Sequence, residues 1–340
     1  MDAVLVDDAL FLEHRPRTVH PERPERLVAA RRAVDSVRDT LRFTQLAARD
    51  ASDEELGRVH TRSYLDTLGR LSGQWGDLDP DTYVSPQSIA AARRAAGGSI
   101  ELVDALLARR AALGLALVRP PGHHARPSMA MGFCLLNNVA IAAAHARARG
   151  VERVLIVDWD VHHGNGTEEM FYEDPTVLYV SLHQAPYYPG SGAVSDVGAG
   201  SGTGYTVNIP LPPGASDAVY LEAFKRVVAP IIDAFRPDLA LVSAGFDPHV
   251  RDPIGGMAVT DGGFAALARE LRTALPETCP AGLVLEGGYD TAGLEGGLRA
   301  SLLALAGASS PEPEPGTVSG PYAAAIERAR AAQAPFFRLG

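Results

Sequence analysis

Cysteine, basic charge and long apolar runs are all scarce in this 340-residue sequence. The two cysteines, Cys134 and Cys279, are too few for a disulfide framework and favour a reducing compartment. No apolar run approaches the roughly 20 residues that span a bilayer, and residues 1–8 lack the basic start and apolar segment of a signal peptide. We therefore expect a cytoplasmic protein that does not enter a membrane.

The formal net charge of -10 at pH 7 argues against a nucleic-acid partner. Neutralisation of phosphates by basic side chains supplies most of the affinity for nucleic acids, and this chain has no basic excess to supply it. An acidic chain favours a cationic substrate instead. Lys225 is the only lysine, while arginine, alanine, glycine and proline are abundant, a bias typical of GC-rich bacterial genomes.

The composition that remains is that of a globular α/β protein, with 46% hydrophobic and 21% charged residues. Apolar runs of strand length alternate with segments of helical period, which predicts parallel βαβ units. Although the length would also allow two domains, nothing forces a division. We treat residues 1–340 as a single domain, with a proline-rich connector at about 308–320 before a last helix at about 321–334.

The stretch from Val154 to Thr167 organises the rest of the chain. Its branched apolar start, ending near Val157, predicts a strand that is buried on both faces. Because successive side chains on a strand alternate in direction, Asp158, Asp160 and His162 project together. Ligands of open α/β sheets bind at the carboxyl ends of strands, so we take Asp160 and His162 as metal ligands.

Polar residues follow four predicted strands at the same edge of the sheet. These strand ends are His123–His124, Asp158–His162, Ala244–Asp247 and Glu286–Tyr289. If Asp247 joins Asp160 and His162, the metal has three protein ligands and one open position, as in catalytic zinc sites. A metal in such a site lowers the pKa of its water from about 15.7 to about 7.

A reaction that uses a metal-bound water also needs a proton acceptor, a proton donor and a group that stabilises an oxyanion. His123 and His124 can accept and donate protons near neutral pH, with Asp158 and Asn165 as their candidate partners. Tyr289, on a Gly–Gly turn, can donate to the oxyanion. A DxH pair alone is more often a polar strand end, but the convergence of all these groups favours metal-assisted hydrolysis of an acyl bond.

These motifs together resemble the histone deacetylase superfamily. The resemblance runs from His20 to about Leu305 and is closest to class II and bacterial deacetylase-like amidohydrolases. The motifs are Arg119–Ala125, Gly132–Cys134, Asp158–Thr167, Ser243–Asp247 and Glu286–Tyr289. The resemblance implies an arginase-like three-layer α/β/α fold with an eight-stranded parallel sheet.

The resemblance also implies a role for each group. One zinc ion would be held by Asp160, His162 and Asp247, His124 would be the usual general base, and Tyr289 would polarise the carbonyl. One or two potassium ions would bind as well. The residues that the resemblance assigns to potassium are Asp158, Asp160, His162, Ser181 and Leu182 at one site, and Phe171, Asp174, Val177 and Tyr205 at the other.

A tunnel for an acyl-lysine side chain is implied too. Burying four lysine methylenes at about 0.8 kcal/mol each contributes about 3 kcal/mol to binding. The residues expected along the tunnel and its rim are Gly132, Phe133, Asp79, Tyr188, Ile254, Gly287 and Gly288. Ile254 occupies the place where a polyamine-preferring class II member has a glutamate, and Asp77 or Asp79 could hold a substrate backbone or a cationic amine.

The leading interpretation is a zinc-dependent amidohydrolase that removes acetyl or other acyl groups from lysine ε-amines in proteins or peptides. Acetylpolyamine hydrolysis is the alternative within the same class. Hydrolysis of small acyl amides or esters in secondary metabolism is another. A catalytically silent binding module is disfavoured, since it would not need the histidine pair and Tyr289. The partner is therefore an acetylated lysine peptide, protein or small amine, and a homo-oligomer remains open.

Overall fold

The computed structural model describes residues 1–339. It contains ten strands, whose bounds follow here. They are β1 (Asp2–Val6), β2 (Arg42–Leu46), β3 (Gly76–Asp77), β4 (Tyr83–Val84), β5 (Leu113–Ala116), β6 (Val154–Asp158), β7 (Val177–Gln184), β8 (Thr206–Leu211), β9 (Leu239–Ala244) and β10 (Ala281–Leu285). Eight of them form one sheet in the order β2-β1-β5-β10-β9-β6-β7-β8, and all of its neighbouring pairs are parallel.

Helices connect these strands and cover the sheet. They are α1 (Glu25–Asp35), α2 (Asp53–Leu56), α3 (Arg62–Arg70), α4 (Ser88–Leu107), α5 (Asn138–Ala148), α6 (Asn165–Phe171), α7 (Asp217–Ala223), α8 (Ala229–Phe235), α9 (Asp261–Ala274), α10 (Thr291–Leu305) and α11 (Gly320–Gln333). A π-helical turn, Phe224–Val228, joins α7 to α8. Within residues 1–339, no helix is both long and apolar enough to cross a membrane.

The central strands are buried on both faces, as the apolar runs predict. Every residue of β6, β7, β9 and β10 is buried. The predicted three-layer fold with eight parallel strands is confirmed. The sheet order has one consequence for function: β5, β10, β9 and β6 are consecutive neighbours, and these are the four strands whose ends carry the candidate site.

Two segments fold differently from what their sequence favours. The helical period of residues 52–71 predicts one helix that opens with a capping box of Ser52 and Glu55, and this prediction is wrong. The capping box is present on α2, but α2 ends at Leu56 before Gly57. Thr61 then caps the separate helix α3 by accepting the Tyr64 N–H. The polar residues 73–80 predict a loop, yet they contain β3, which pairs with β4 as an antiparallel hairpin.

Candidate active site

Three buried side chains place metal-binding atoms around one point. One donor atom from each of Asp160, His162 and Asp247 lies within 4.8 Å of the other two. His162 Nδ1 is 3.1 Å from Asp160 Oδ1 and 3.2 Å from Asp247 Oδ2. Asp160 and His162 follow β6, and Asp247 follows the neighbouring strand β9.

One oxygen of the Asp247 carboxylate is left for a ligand. Its Oδ1 accepts the Val161 N–H at 2.8 Å, whereas its buried Oδ2 lies 3.2 Å from His162 Nδ1 but makes no hydrogen bond within residues 1–339. Leaving a buried carboxylate oxygen without a partner is costly. A Cβ on Gly287 would collide with the carboxylates of Asp247 and Asp160, so glycine is required beside this point.

Charge at this point also fits a cation. Burial raises the pKa of the Asp247 carboxyl to about 7, and the negative charge of Asp160 adds to this rise. Burial would lower the pKa of His162, but the adjacent carboxylates of Asp160 and Asp247 outweigh it and raise that pKa to about 10. Two carboxylates buried together repel each other, and a divalent ion would remove that repulsion. The residues present therefore fit a metal.

A histidine pair borders the three potential ligands. The His123 and His124 rings are 4.0 Å apart, and the His124 ring is 5.8 Å from that of His162. His123 Nδ1 lies 3.0 Å from Asp158 Oδ2, and His124 Nδ1 lies 2.9 Å from Asn165 Oδ1. The structure therefore contains both predicted pairs, His123 with Asp158 and His124 with Asn165.

The two histidines of the pair lie in opposite electrostatic surroundings. Burial disfavours the charged form of His123, but the carboxylates of Asp160 and Asp158 outweigh it and raise its pKa well above the ordinary value. Burial lowers the pKa of His124 well below the ordinary value, and the positive charges of His123 and His162 lower it further. Such a separation of pKa values gives one pair two different proton-transfer roles.

Aromatic side chains surround the approach to the histidines. The Phe133 ring meets the Tyr289 ring edge-on at 5.7 Å, and the Tyr188 ring meets the His124 ring edge-on at 5.2 Å. Gly132, with a φ of +56°, packs so closely on His124 that a Cβ would strike the imidazole. Gly288, with a φ of +114°, turns the chain immediately before Tyr289.

The predicted rim residues have defined contacts. Asp79 Oδ1 accepts the backbone N–H groups of Asp81 and Thr82, so this carboxylate shapes a turn. Thr82 Oγ1 in turn accepts the Phe133 N–H at 3.1 Å, which ties the turn to the aromatic wall. The Ile254 carbonyl accepts a hydrogen bond from the Tyr187 hydroxyl.

Comparison with known proteins identifies the family. A family model described as a histone deacetylase domain matches residues 20–305. The chain belongs to the histone deacetylase family. The matched residues include all four strand ends that meet at the potential metal ligands.

Deacetylase relatives come from bacteria, archaea and eukaryotes. A probable deacetylase of Archaeoglobus fulgidus is 40% identical over 287 residues, covering 83% of this chain and 80% of that protein. A histone deacetylase-like amidohydrolase of Pseudomonas aeruginosa is 41% identical over 278 residues, covering 80% and 73%. The polyamine deacetylase HDAC10 of Homo sapiens is 42% identical over 346 residues, but the match spans 93% of this chain and only 49% of that protein.

A solved deacetylase structure has the same fold. The crystal structure of the HDA15 HD domain matches with a TM-score of 0.91 at 38% identity, and it covers 98% of this chain and 96% of that one. Agreement over the whole length shows that the deacetylase fold includes the edge strand β2 and the last helix α11. The resemblance to a class II-like deacetylase is confirmed.

The residues that the family resemblance assigns to potassium fall into two groups, one along β6 and β7 and one around the start of β7. Ser181 on β7 pairs in register with Asp158 on β6, and its hydroxyl contacts His183 Nδ1 at 2.9 Å. Leu182 follows it on the same strand. In the second group, Phe171, Asp174, Val177 and Tyr205 surround the start of β7, and the carbonyls of Phe171, Asp174 and Tyr205 all accept backbone hydrogen bonds.

Three buried charged residues near Tyr289 escaped the sequence reasoning. Arg26 donates to the carbonyls of Glu286 and Gly288, and its guanidinium stacks on the Tyr289 ring at 4.9 Å. Glu286 accepts the N–H groups of Gly122 and His123 through one carboxylate oxygen. Asp252 is the third. For Arg26 a signal existed in the sequence: its spacing from Ala29, Ala30 and Ala33 places it on the same face of α1 as these buried alanines.

Proposed function

We propose that this chain is a zinc-dependent amidohydrolase that removes acetyl groups from the ε-amine of lysine in proteins or peptides. The observation that carries the proposal is the convergence of Asp160, His162 and Asp247 donor atoms within 4.8 Å of one another. The histidine pair and Tyr289 border the same point. Membership of the deacetylase family supports the reaction class, and the donor set supports the metal.

One carboxylate oxygen each from Asp160 and Asp247 and the Nδ1 of His162 would hold the ion. Three protein ligands with oxygen and nitrogen donors leave a coordination position open, which is the arrangement of catalytic zinc. When bound, the ion would acidify a coordinated water and polarise the scissile carbonyl. The one or two potassium ions that the family resemblance implies would bind through Ser181, Leu182, Asp158 and the carbonyls around the start of β7.

His124 is the general base in this proposal, and its hydrogen bond fixes the tautomer. The amide oxygen of Asn165 can only accept, so His124 Nδ1 must donate its proton to that oxygen. In the neutral ring, Nε2 is then free to take a proton. Burial favours this neutral form by lowering the pKa of His124.

His123 differs because its partner is a carboxylate. Its Nδ1 donates to Asp158 Oδ2, and Tyr179 donates its hydroxyl to the same oxygen at 3.2 Å. A histidine held by a buried carboxylate is stabilised in its protonated form. His123 therefore supplies positive charge beside Asp160 and a proton for the leaving amine.

Tyr289 stabilises the oxyanion in this proposal. Burial raises the pKa of its hydroxyl well above the ordinary value, so the group stays protonated and can donate a hydrogen bond. The Gly287–Gly288 turn brings the residue close to the potential metal ligands, and Arg26 fixes the carbonyls of that turn. An oxyanion donor of this kind contributes about 10²- to 10³-fold to turnover.

The substrate's side chain would lie between Phe133 and Tyr188, the two aromatic walls that flank Tyr289 and His124. Gly132 lets the backbone of this wall pack directly against the His124 imidazole. At the rim, the Asp79 oxygen that takes no part in its turn could accept from the substrate. Ile254, an apolar residue, gives no charge with which to select a free amine, and this favours acetyl-lysine.

Acetylpolyamine hydrolysis is the second candidate. The relative named polyamine deacetylase HDAC10 and the net charge of -10 favour it. Turnover of an acetyl-lysine peptide, acetylputrescine, acetylspermidine and a simple acyl ester by the purified protein would separate the candidates. We expect the peptide to have the highest kcat/KM, and a large preference for the polyamines or the ester would reject the lysine proposal.

A further inference from the structure

A groove of about 900 Å³ lies beside the tunnel wall and has no part in the chemistry described so far. We call it the methionine groove, because Met129, Met131 and Met170, three of the chain's five methionines, line it. Carboxylates of Glu169, Glu173 and Asp174 lie along it as well. Two properties decide what the groove can bind: its position relative to the tunnel wall and the side chains that line it.

The groove begins at the tunnel wall. Met131 lies in the groove and directly precedes Gly132, while Pro189 lies in the groove and directly follows Tyr188. Asn165, which holds His124, also lines it. One end of the methionine groove therefore lies beside Gly132 and Tyr188 of the tunnel wall.

The methionines suit the groove to varied side chains. Methionine is unbranched and has a polarizable sulfur, so it adapts its shape to different apolar partners. Met129 is 44% exposed, so its side chain is accessible to a partner. Long aliphatic stems, such as those of lysine and arginine, can pack on such a surface while their charged ends stay in water.

Charge makes the groove selective for cations. Four carboxylates line it against one guanidinium, that of Arg126, which is paired with Glu169. Glu168 is held by His163 and Asn208. Glu173 is exposed, and its carboxylate makes no hydrogen bond or ion pair within residues 1–339. A negative charge without a partner thus lies in the same groove as the three methionines.

We propose that the methionine groove binds the segment that flanks the acyl-lysine of a peptide or protein, and that it favours lysine and arginine in that segment. This rests on the proposed function and narrows its substrate class to basic segments. Side chains of a peptide can pack on the three methionines, and their positive charges can meet Glu173. A free acetylpolyamine has no side chains with which to fill it.

The test compares three acetyl-lysine substrates at low and high salt. Two peptides of equal length carry either lysine and arginine or alanine and glycine beside the acetyl-lysine, and the third substrate is a small fluorogenic acetyl-lysine amide. At low salt we expect the basic peptide to exceed the neutral one by up to about 5-fold in kcat/KM, which one exposed ion pair with Glu173 can provide. Salt at about 0.5 M should bring the ratio close to one.

Reversing the charge at position 173 tests whether the preference for the basic peptide arises in the methionine groove. Glu173→Lys should reduce the basic-to-neutral ratio at least about 5-fold and leave the amide's kcat unchanged. Glu277→Lys is the matched control, since Glu277 is also exposed but precedes β10 and lines a different cavity from the methionine groove. This variant should keep the wild-type ratio.

The outcomes distinguish the groove from the reaction itself. An unchanged ratio in Glu173→Lys, with the amide still hydrolysed, would overturn the groove proposal alone. Failure to hydrolyse any acetyl substrate would overturn the proposed function instead. Acetylspermidine turnover that exceeds the basic peptide and depends on Glu173 would show that the groove serves a free polyamine, which also overturns the proposal.

Discussion

The Asp252 carboxylate joins the loop after β9 to the loop that carries Tyr289. Its Oδ2 accepts the Tyr289 N–H at 2.6 Å and the Asp290 N–H at 3.1 Å. Its Oδ1 accepts the N–H groups of Ile254 and Gly255. Because Asp247 lies on the first loop, one buried carboxylate sets the position of Tyr289 relative to a potential metal ligand.

We predict that Asp252→Asn lowers kcat about 10-fold or more while metal content stays at the wild-type level. An asparagine has a single acceptor oxygen, so one of the two loops loses its acceptor and faces an NH₂ group. Small displacements of a positioned group have large effects on turnover. Asp290→Asn is the matched control, because it removes a neighbouring carboxylate that caps α10. A wild-type kcat in Asp252→Asn would show that Asp252 does not position Tyr289.

Tyr289→Phe should lower turnover about 10²- to 10³-fold without loss of metal, because it removes only the oxyanion donor. Tyr220→Phe serves as the control. The Tyr220 hydroxyl is also buried, but it has no hydrogen-bond partner within residues 1–339. The two variants should therefore differ sharply in kcat, measured by steady-state kinetics. A near-normal kcat for Tyr289→Phe would remove Tyr289 from the mechanism.

Asp247→Ala should abolish metal binding, since it removes one of the three potential ligands. Asp158→Asn should retain the metal but lose turnover, because Asp158 holds His123 rather than the ion. Elemental analysis of the purified variants, together with their rates on an acetyl-lysine amide, checks both expectations. Stoichiometric zinc in Asp247→Ala would mean that the ligand set is wrong.

Protonation of His60 should lower the stability of the protein in acid. Its Nε2 accepts the Asn137 N–H at 3.0 Å, so the ring must be neutral in the folded protein. Burial lowers its pKa from 6.5 to about 4. The contribution of neutral His60 to the free energy of unfolding is thus fully present above pH 6.5. It is lost as the pH falls through 4, and the loss amounts to up to about 3 kcal/mol.

Urea unfolding of the wild type and His60→Gln at several pH values between 7.5 and 4 measures this contribution. The wild-type advantage over the variant should shrink as the pH falls. A difference in unfolding free energy that stays constant across this range would contradict the assignment to His60.

The candidate site could be located from sequence because each of its parts follows an apolar strand. The run before Asp158 and the run before Asp247 both predict buried strands, and their polar ends share one edge of a parallel sheet. The sheet order could not be predicted, since it depends on contacts between distant strands. That order, β5-β10-β9-β6, is what brings His123 and Tyr289 to the same point.

Local sequence failed where packing decides the structure. The edge strand β2 has mostly exposed or half-buried residues and so lacks the apolar run of a central strand. Helix α10 contains three glycines, which weaken its helical signal. Asp252 looks like an ordinary turn residue, and only the folded chain shows that its carboxylate reaches Tyr289, 37 residues away.

Removal and return of the metal tests the central claim most directly. The purified protein is stripped with a chelator, zinc is added back in steps, and hydrolysis of an acetyl-lysine amide is followed at each step. If Asp160, His162 and Asp247 hold a catalytic ion, turnover vanishes on stripping and returns in proportion to zinc up to one ion per chain. Undiminished turnover by the metal-free protein would contradict the account.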